Sequence, residues 1–337
     1  MKVFSAEISS NWSWSFVMDE LVKLLPYDFC RFSDFNNNQK ILTKEKSTPV
    51  LAQNIPSIQY IPYSERVISR MGSMRSLKGN IDGIKSVFAV IATNNELYKI
   101  GKDLNPNTHL IPNGVDLDKF KSAKNKHPFI VGFSGNIRGV VSRDYKGFDL
   151  LEEAIKGIPL KLALCSDYQI SHDDMPEFFS KISCLILPSK GEGCNNTVME
   201  ALACAIPVII TKTGYHGDML EDKKNCLFIE RDVDNIKKAV YFLKENNQKR
   251  IAIGEAGRRF AEKHHDIKNI AKLYDKIIQD LIRENQRKYK EEQQIVIAEA
   301  LFPIFDEELG RIERGMCFKV NLRRAKGLGG LVQIKGG

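Results

Sequence analysis

The stretch LPSKGEGCNNTVMEALACAIPVIIT, residues 187–211, contains the end of an apolar strand, a polar loop, a helix and a second strand. Glu192 lies in the loop and Glu200 in the helix, with seven residues between them. At a rise of about 1.5 Å per residue, Glu200 lies roughly one to two turns below the helix mouth. The N-terminus of a helix presents unpaired N–H groups and a positive dipole end, which suit a phosphate. Two carboxylates beside such a site suit sugar hydroxyls, a ribose at one end and a hexose at the other.

A second group of polar residues follows an apolar strand upstream, in FSGNIRGVVSRDYKGF, residues 133–148. Gly135 ends that strand and allows close approach of the backbone to a ligand. Arg138, Arg143 and Lys146 come next, in a segment that we interpret as a short loop before a helix. Three cations at a strand-to-helix turn facing one crevice suit a diphosphate.

Short apolar strands alternate with helices through the central part of the chain. This alternation predicts βαβ units, and so an α/β fold with parallel sheets covered on both faces. The earlier part repeats the pattern less clearly, so we expect two Rossmann-like domains facing a cleft, followed by a C-terminal helical extension. The polar, basic stretch KSAKNKHP indicates a linker. The predicted domains are 1–122, 123–266 and 267–337, the last being helices with a basic, Gly-rich tail.

The composition fits a globular chain with an anionic partner. Of the 337 residues, 43% are hydrophobic and 27% are charged, which excludes a wholly disordered chain. The formal net charge of +8 favours nucleotide phosphate, nucleic acid or an anionic membrane surface as the partner. Neither a transmembrane run nor a signal peptide is evident, so we expect a cytoplasmic protein, with peripheral association at the inner membrane face as a further option.

The seven cysteines and six histidines show no spacing typical of a metal site. The sequence contains neither a CxxC nor an HExxH pattern. Several cysteines lie inside apolar runs, among them Cys184 and Cys204, and these are expected to be reduced and buried. We therefore predict no structural zinc and no metal ligands.

Three segments, in chain order, resemble those of retaining nucleotide-sugar glycosyltransferases of GT-B architecture. The two glutamates separated by seven residues resemble the EX7E motif of that family, of the group 1 or family 4 type. Residues 134–151 are similar to its glycine and Lys-Gly segment, and HLIPNGVDLDKF is similar to its interdomain IPNGVD segment. Asp116 and Asp118 belong to that interdomain segment. The resemblance implies a GT-B fold, with the acceptor on the first domain and the nucleotide sugar on the second.

The resemblance also implies roles for individual residues. Glu192 would contact hydroxyls of the donor sugar, while Lys146 and Arg138 would neutralise the leaving diphosphate; these three are the predicted catalytic residues. Glu200 would contact the ribose. The other predicted donor-binding residues are Gly135, Asn136, Arg143, Gly193, Cys194, Asn195, Asn196 and Thr197. The predicted acceptor-side residues are Ser10, Asn11 and Trp12. The donor nucleotide diphosphate sugar is a substrate, so no cofactor is expected, and no metal is required.

Departures from the family pattern leave the acceptor open. Asn136 stands where the family usually has an arginine, and SSNWSW replaces the usual glycine-rich loop after the first strand. The leading hypothesis is transfer to a hydroxyl of a cell-surface glycan or glycolipid precursor. The basic charge and Trp12 also permit a phage-type glucosyltransferase acting on a modified DNA base. A nucleotide-sugar epimerase and a non-catalytic nucleotide-sugar binder are further alternatives, and the oligomeric state is unassigned.

Overall fold

Two parallel sheets carry most of the fold, as the alternation of strands and helices predicts. The computed structural model describes residues 2–6, 13–32, 48–52, 64–72, 81–122, 128–164, 170–293, 295–300, 304–306, 310–312, 317–321 and 332–335. The chain divides into two units, Met1–Ile277 and Ile278–Gly337, and the first unit contains both parallel sheets.

The N-terminal sheet has six strands: β1 (Lys2–Ala6), β2 (Asp28–Phe32), β3 (Val50–Ala52), β4 (Val67–Met71), β5 (Ala89–Ala92) and β6 (Thr108–Leu110). They pair in parallel in the order β2-β1-β3-β4-β5-β6. The helices described here are α1 (Ser13–Leu24), α2 (Ile81–Ser86) and α3 (Asn95–Leu104). Helix α1 buries Val17, Met18 and Leu21, which share one face at helical spacing.

The central sheet has five strands: β7 (Val131–Gly135), β8 (Leu160–Leu164), β9 (Cys184–Leu187), β10 (Val208–Ile210) and β11 (Leu227–Phe228). They also pair in parallel, in the order β11-β10-β9-β7-β8. The helices around it are α4 (Gly139–Lys146), α5 (Phe148–Ala154), α6 (Met175–Ser180), α7 (Asn196–Ala203), α8 (Gly214–Met219), α9 (Val233–Glu245) and α10 (Asn247–His264). Buried side chains such as Phe133, Leu187 and Leu202 form its core.

Helix α4 corrects the interpretation of this segment as a loop before a single helix. Gly147, with φ +69°, adopts the left-handed conformation that ends α4 and lets α5 start in a new direction. None of the eight residues of α4 is buried, and Val140 and Val141 are 82% and 78% exposed. The helix therefore lacks the apolar stripe by which amphipathic helices are recognised in a sequence.

The chain crosses between the two sheets twice, at adjacent positions. Residues 111–120 lead from β6 toward the central sheet, and the start of α11 (Ile267–Gln293) follows the end of the central domain. Val115 forms a parallel bridge with Asp266, through hydrogen bonds from its N–H to the carbonyl of His265 at 2.7 Å and from the N–H of Ile267 to its carbonyl at 3.1 Å. The predicted domain bounds at 122/123 and 266/267 stay predictions.

The second unit contains short antiparallel strands after the end of α11. These are β12 (Ile295–Ala300), β13 (Ile304–Asp306), β14 (Gly310–Ile312), β15 (Cys317–Asn321) and β16 (Val332–Lys335). They form a three-stranded sheet in the order β15-β12-β16 and a β13-β14 hairpin. Helix α11 extends as far as Gln293, whereas residues 295–300, which were expected to continue the helical extension, form a strand because IVIAEA is rich in β-branched residues. No helix in the described part of the chain has the length and apolar character needed to span a bilayer.

Candidate active site

The candidate site lies at the switch point of the central sheet. Strand β7 has β8 on one side and β9 on the other, so the connections after β7 and β9 leave the sheet in opposite directions. In open parallel sheets, the loops beyond the carboxyl ends of two such strands border a crevice that binds ligands. The segments after β7 and β9 are the two that carry the predicted donor-binding residues.

Lys146 and Glu192 meet across this crevice. The Nζ atom of Lys146, at the end of α4, donates to Oε1 of Glu192 at 2.6 Å, and both side chains are about four-fifths buried. Gly147 makes the approach possible, because a Cβ atom there would lie 2.3 Å from the carbonyl oxygen of Pro188. The backbone N–H of Lys190 also donates to the carbonyl of Tyr145 at 2.8 Å. The end of α4 therefore rests directly on the loop after β9.

The N-terminus of α7 faces the same crevice. Asn195 caps the helix, since its Oδ1 accepts a hydrogen bond from the N–H of Val198 at 3.1 Å. The hydroxyls of Ser134, at the end of β7, and Thr197, in the first turn of α7, lie 3.4 Å apart. The first-turn N–H groups and the positive dipole end of α7 thus lie close to Lys146 and offer a setting for an anionic group.

Glu200 is buried on α7 and is hydrogen-bonded to an imidazole that the sequence did not single out. Nε2 of His172 lies 3.0 Å from Oε1 of Glu200, and its Nδ1 lies 3.2 Å from Nζ of Lys119. Because an ammonium group can only donate, Nδ1 accepts, and Nε2 carries the hydrogen that is donated to Glu200. The His172 ring stacks on Phe16 of α1, with ring centroids 4.3 Å apart and planes 8° apart.

A cleft of about 290 Å³ opens beside this pair, between α1 and the central sheet. Phe16, Lys119, His172, Asn196 and Glu200 are among the residues that line it. The cleft therefore combines an aromatic face, a cation, a buried carboxylate and an amide, which together can hold a flat polar ligand.

Asn113 joins the crossing segment to the loop after β9. Its amide nitrogen donates to the carbonyl of Cys194 at 3.0 Å and to Oδ1 of Asn196 at 2.6 Å. Its Oδ1 accepts a hydrogen bond from Arg70 at 2.7 Å, and its backbone N–H donates to the Cys194 sulfur at 3.4 Å. Its backbone carbonyl accepts from the His265 ring at 2.8 Å. Asn113 was part of the IPNGVD segment, but nothing in that pattern indicated how many groups it would bind.

The other predicted cations are placed differently from Lys146. Arg143 lies on α4, where its guanidinium pairs with Asp149 and Glu152 of α5 and covers the Phe148 ring. Arg138 is exposed at the N-cap of α4, and its backbone N–H donates to Oδ1 of the exposed Asn136 at 2.9 Å. Among the three cations, Lys146 is the one that contacts Glu192.

Some of the remaining predicted residues are glycines that act through their backbone, and others lie outside the residues that the structure describes. Gly193 and Gly135 lie at the crevice, and the backbone of Gly193 passes so close to Gly72 that a Cβ atom would lie 2.1 Å from the Gly72 carbonyl oxygen. Asp116 accepts hydrogen bonds from the backbone of Asp118 and Lys119, as expected for a turn in the interdomain segment. The acceptor-side predictions, Ser10, Asn11 and Trp12, lie outside the described residues.

Comparison with known proteins identifies a family for the segment that contains much of this site. Residues 167–260 match the family model of glycosyl transferases group 1. A curated relative, the uncharacterized glycosyltransferase MJ1178 of Methanocaldococcus jannaschii, is 28% identical over 158 residues. The match covers 39% of this chain and 45% of the relative, so the chain spans less than half of that protein's length.

Solved structures share the fold over most of the chain. Alr3699/HepE of Anabaena, in complex with UDP and glucose, superposes with a TM-score of 0.65 at 13% identity, over 83% of this chain and 99% of its own. Sucrose-phosphate synthase of Thermosynechococcus elongatus gives a TM-score of 0.69 at 14% identity, over 84% of this chain and 100% of its own. The predicted GT-B fold, with two Rossmann-like domains, is confirmed. The match to glycosyl transferases group 1 covers residues 167–260, which is less than a third of the chain.

Proposed function

We propose that this chain is a retaining glycosyltransferase that moves a sugar from a nucleoside diphosphate sugar to an acceptor hydroxyl. The observation that carries the proposal is the contact of 2.6 Å between Lys146 and Glu192 at the N-terminus of α7. It brings a cation, a carboxylate and the positive dipole end of a helix to one switch-point crevice, which suits a sugar joined to a diphosphate. Neighbours of the same fold bound to UDP or UDP-glucose support a nucleotide sugar as the partner.

The proposed chemistry uses these groups in distinct ways. The bond between the anomeric carbon and the diphosphate oxygen breaks, and the acceptor oxygen forms a bond to that carbon on the same face while its proton passes to the leaving diphosphate. Negative charge therefore grows on the diphosphate, where Lys146 and the first turn of α7 stabilise it. Glu192 accepts hydrogen bonds from the sugar hydroxyls, and Glu200 accepts them from the ribose.

The acceptor is proposed to be a hydroxyl of a cell-surface glycan or glycolipid precursor. The net charge of +8 suits an acceptor carried on an anionic membrane surface. A modified base in DNA remains the second acceptor class, and a duplex containing hydroxymethylated bases serves as its probe.

A panel of UDP, GDP and ADP sugars tests the donor. Calorimetry measures binding, release of the nucleoside diphosphate measures turnover, and proton NMR of the product reports the anomeric configuration. Lys146→Met and Glu192→Gln are expected to lower kcat by about 10²–10³-fold, because each removes a charge that is proposed to act on the donor in the transition state. Lys190→Met is the matched control, since Lys190 lies in the loop that carries Glu192 but pairs with the exposed Asp144.

Each alternative gives a distinct result. A new nucleotide sugar formed without an acceptor indicates an epimerase, and binding without turnover across all acceptors indicates a non-catalytic binder. Inversion at the anomeric carbon refutes the retaining mechanism but not the transfer of a sugar from a nucleotide sugar. Equal losses in Lys146→Met and Lys190→Met refute the assigned role of Lys146.

A further inference from the structure

Three buried side chains with metal-binding atoms meet behind the loop that carries Glu192. Cys194 lies in that loop, His216 lies on α8, and His265 is the C-cap of α10. The cysteine sulfur and one ring nitrogen from each histidine all lie within 4.8 Å of one another. The three residues are 8%, 3% and 0% exposed, so water does not compete freely for these atoms.

The His265 ring is held in one tautomer by a backbone carbonyl. Its Nδ1 lies 2.8 Å from the backbone carbonyl of Asn113, and because a carbonyl only accepts, Nδ1 carries the hydrogen. The Nε2 atom then carries a lone pair. A hydrogen bond from the second ring nitrogen to a carbonyl is the usual support of a metal-binding histidine.

One ring nitrogen of each histidine in the cluster has no hydrogen-bond partner in the described structure. Among the residues that the structure describes, neither Nε2 of His216 nor Nε2 of His265 has a hydrogen-bond partner, although both are buried. Burial lowers the pKa of His265 to about 4 and that of His216 well below its usual value, which keeps both rings neutral. Unpaired buried polar atoms are costly, and an unseen ion is one of the few ways to satisfy two at once.

We propose that Cys194, His216 and His265 bind a zinc ion, contrary to the expectation from their spacing in the sequence that the chain has no metal ligands. One thiolate and two imidazoles are ligands that suit Zn²⁺, whose tetrahedral shell leaves the fourth position for a water molecule or a further ligand. With bonds of about 2.3 Å to sulfur and 2.0–2.1 Å to nitrogen, the ligand atoms of a tetrahedral site lie about 3.5 Å apart, so zinc binding requires the separations to shorten by at most about 1.3 Å. His216 and Glu192 are both among the residues that line a pocket at this side of the loop.

The zinc would connect three parts of the fold. It would join the loop after β9, the start of α8, and the α10–α11 junction where the chain crosses back toward the N-terminal sheet. The ion is structural in this assignment, so its binding is independent of the proposed sugar transfer and can be tested without a substrate.

The test is metal binding by the purified full-length chain. The protein is stripped with a chelator, loaded with Zn²⁺, passed over a desalting column and analysed by elemental mass spectrometry. We expect about one zinc per chain and a rise of about 5–10 °C in Tm at saturating zinc. Titration with Co²⁺ is expected to give a sulfur-to-metal charge-transfer band, which reports thiolate ligation directly.

Matched variants assign the ligands. Cys194→Ser and His265→Gln are each expected to weaken zinc binding by more than about 100-fold and to remove the zinc-dependent rise in Tm. Cys204→Ser and His264→Gln, which change a buried cysteine and the adjacent histidine outside the cluster, are expected to retain both. If the wild-type chain binds no zinc, or binds Co²⁺ without the charge-transfer band, the assignment is overturned whether or not the variants fold. Zinc binding that survives Cys194→Ser also overturns it.

Discussion

At the scale of single residues, Glu200 depends on one imidazole for its place in the cleft. Its side chain is 5% exposed, and the hydrogen bond from His172 offsets the cost of burying the carboxylate. The same ring stacks on Phe16, so His172 links a helix of the N-terminal sheet to a carboxylate beside the central sheet.

Substitution of His172 separates these two contributions. His172→Ala is expected to lower the free energy of unfolding by about 1–3 kcal/mol, because it leaves the Glu200 carboxylate buried without this donor. His172→Gln retains an N–H donor and should lose less. His264→Ala is the control, since His264 also stacks on a phenylalanine, Phe260, but has no carboxylate partner among the residues that the structure describes. Urea denaturation measures all three, and an equal loss in the two alanine variants would show that stacking alone matters.

The sequence indicated some of these residues and not others, for a physical reason. Glu192 and Glu200 are recognisable because they lie on one strand–loop–helix segment, where local geometry fixes their separation. His172 lies 28 residues before Glu200, and Asn113 contacts a loop more than 80 residues away. Such contacts depend on how the sheets and loops pack, and no local spacing encodes them.

At the scale of secondary-structure elements, the turn between α4 and α5 sets the position of Lys146. Two glycines with positive φ allow this to be tested, because they differ in their surroundings. Gly147, with φ +69°, would place a Cβ atom 2.3 Å from the Pro188 carbonyl oxygen. Gly157, with φ +81°, has no atom within 4 Å of such a Cβ in the described structure.

Gly147→Ala is therefore expected to be more damaging than Gly157→Ala. Both incur the left-handed backbone cost of about 1–2 kcal/mol, but Gly147→Ala must also push α4 away from the loop after β9. We expect a larger fall in Tm and a loss of nucleotide-sugar turnover for Gly147→Ala, and wild-type turnover for Gly157→Ala. Similar Tm values and similar turnover for Gly147→Ala and Gly157→Ala would contradict the role of the contact between Gly147 and Pro188.

The elements that the sequence revealed are those with a buried face. Strands β7, β9 and β10 are apolar runs and helix α7 has an apolar face, so their patterns predicted them. Helix α4 buries none of its residues and was missed. Strand β4, VISRM, was also missed, because its arginine interrupts the apolar run. In the fold, the side chain of this residue, Arg70, donates a hydrogen bond to Asn113.

At the scale of the whole molecule, the two sheets approach each other at glycine backbones. Gly193→Ala would place a methyl group 2.1 Å from the Gly72 carbonyl oxygen, so the N-terminal side must move away from the Glu192 loop. We expect kcat/KM for sugar transfer to fall by up to about 100-fold, because a displacement of about 1 Å can cost that much in a positioned reaction. Steady-state kinetics with the preferred donor measures the loss.

Gly191→Ala is the control for this displacement. It adds the same methyl group two residues away, where a Cβ atom lies 2.9 Å from the Tyr145 hydroxyl, the far end of a flexible side chain. We expect activity near that of the wild type. A comparable loss in Gly191→Ala would mean that the loop tolerates no added methyl group, and that the contact with Gly72 has no special role.

The fold class was predictable from the sequence because both sheets obey one local rule, the alternation of apolar strands with helices. The antiparallel strands after Gln293 do not follow from that rule. The long helical pattern before them led to the prediction of a helix beyond the residue where the helix ends. Repeated local patterns therefore predict the GT-B fold. The contact between the two sheets depends instead on single positions, such as Gly193, where a Cβ atom would collide with the Gly72 carbonyl oxygen.

The paired crossings of the chain restrict how the two sheets can move. A single covalent connection would let one sheet swivel about any axis relative to the other. Here the crossings lie side by side and are joined by two hydrogen bonds of 2.7 and 3.1 Å between Val115 and the segment at Asp266. Two parallel connections fixed together resist twisting more than one connection would. We therefore expect any opening of the cleft to be a rotation about one line, with the Lys146–Glu192 crevice still facing the N-terminal sheet.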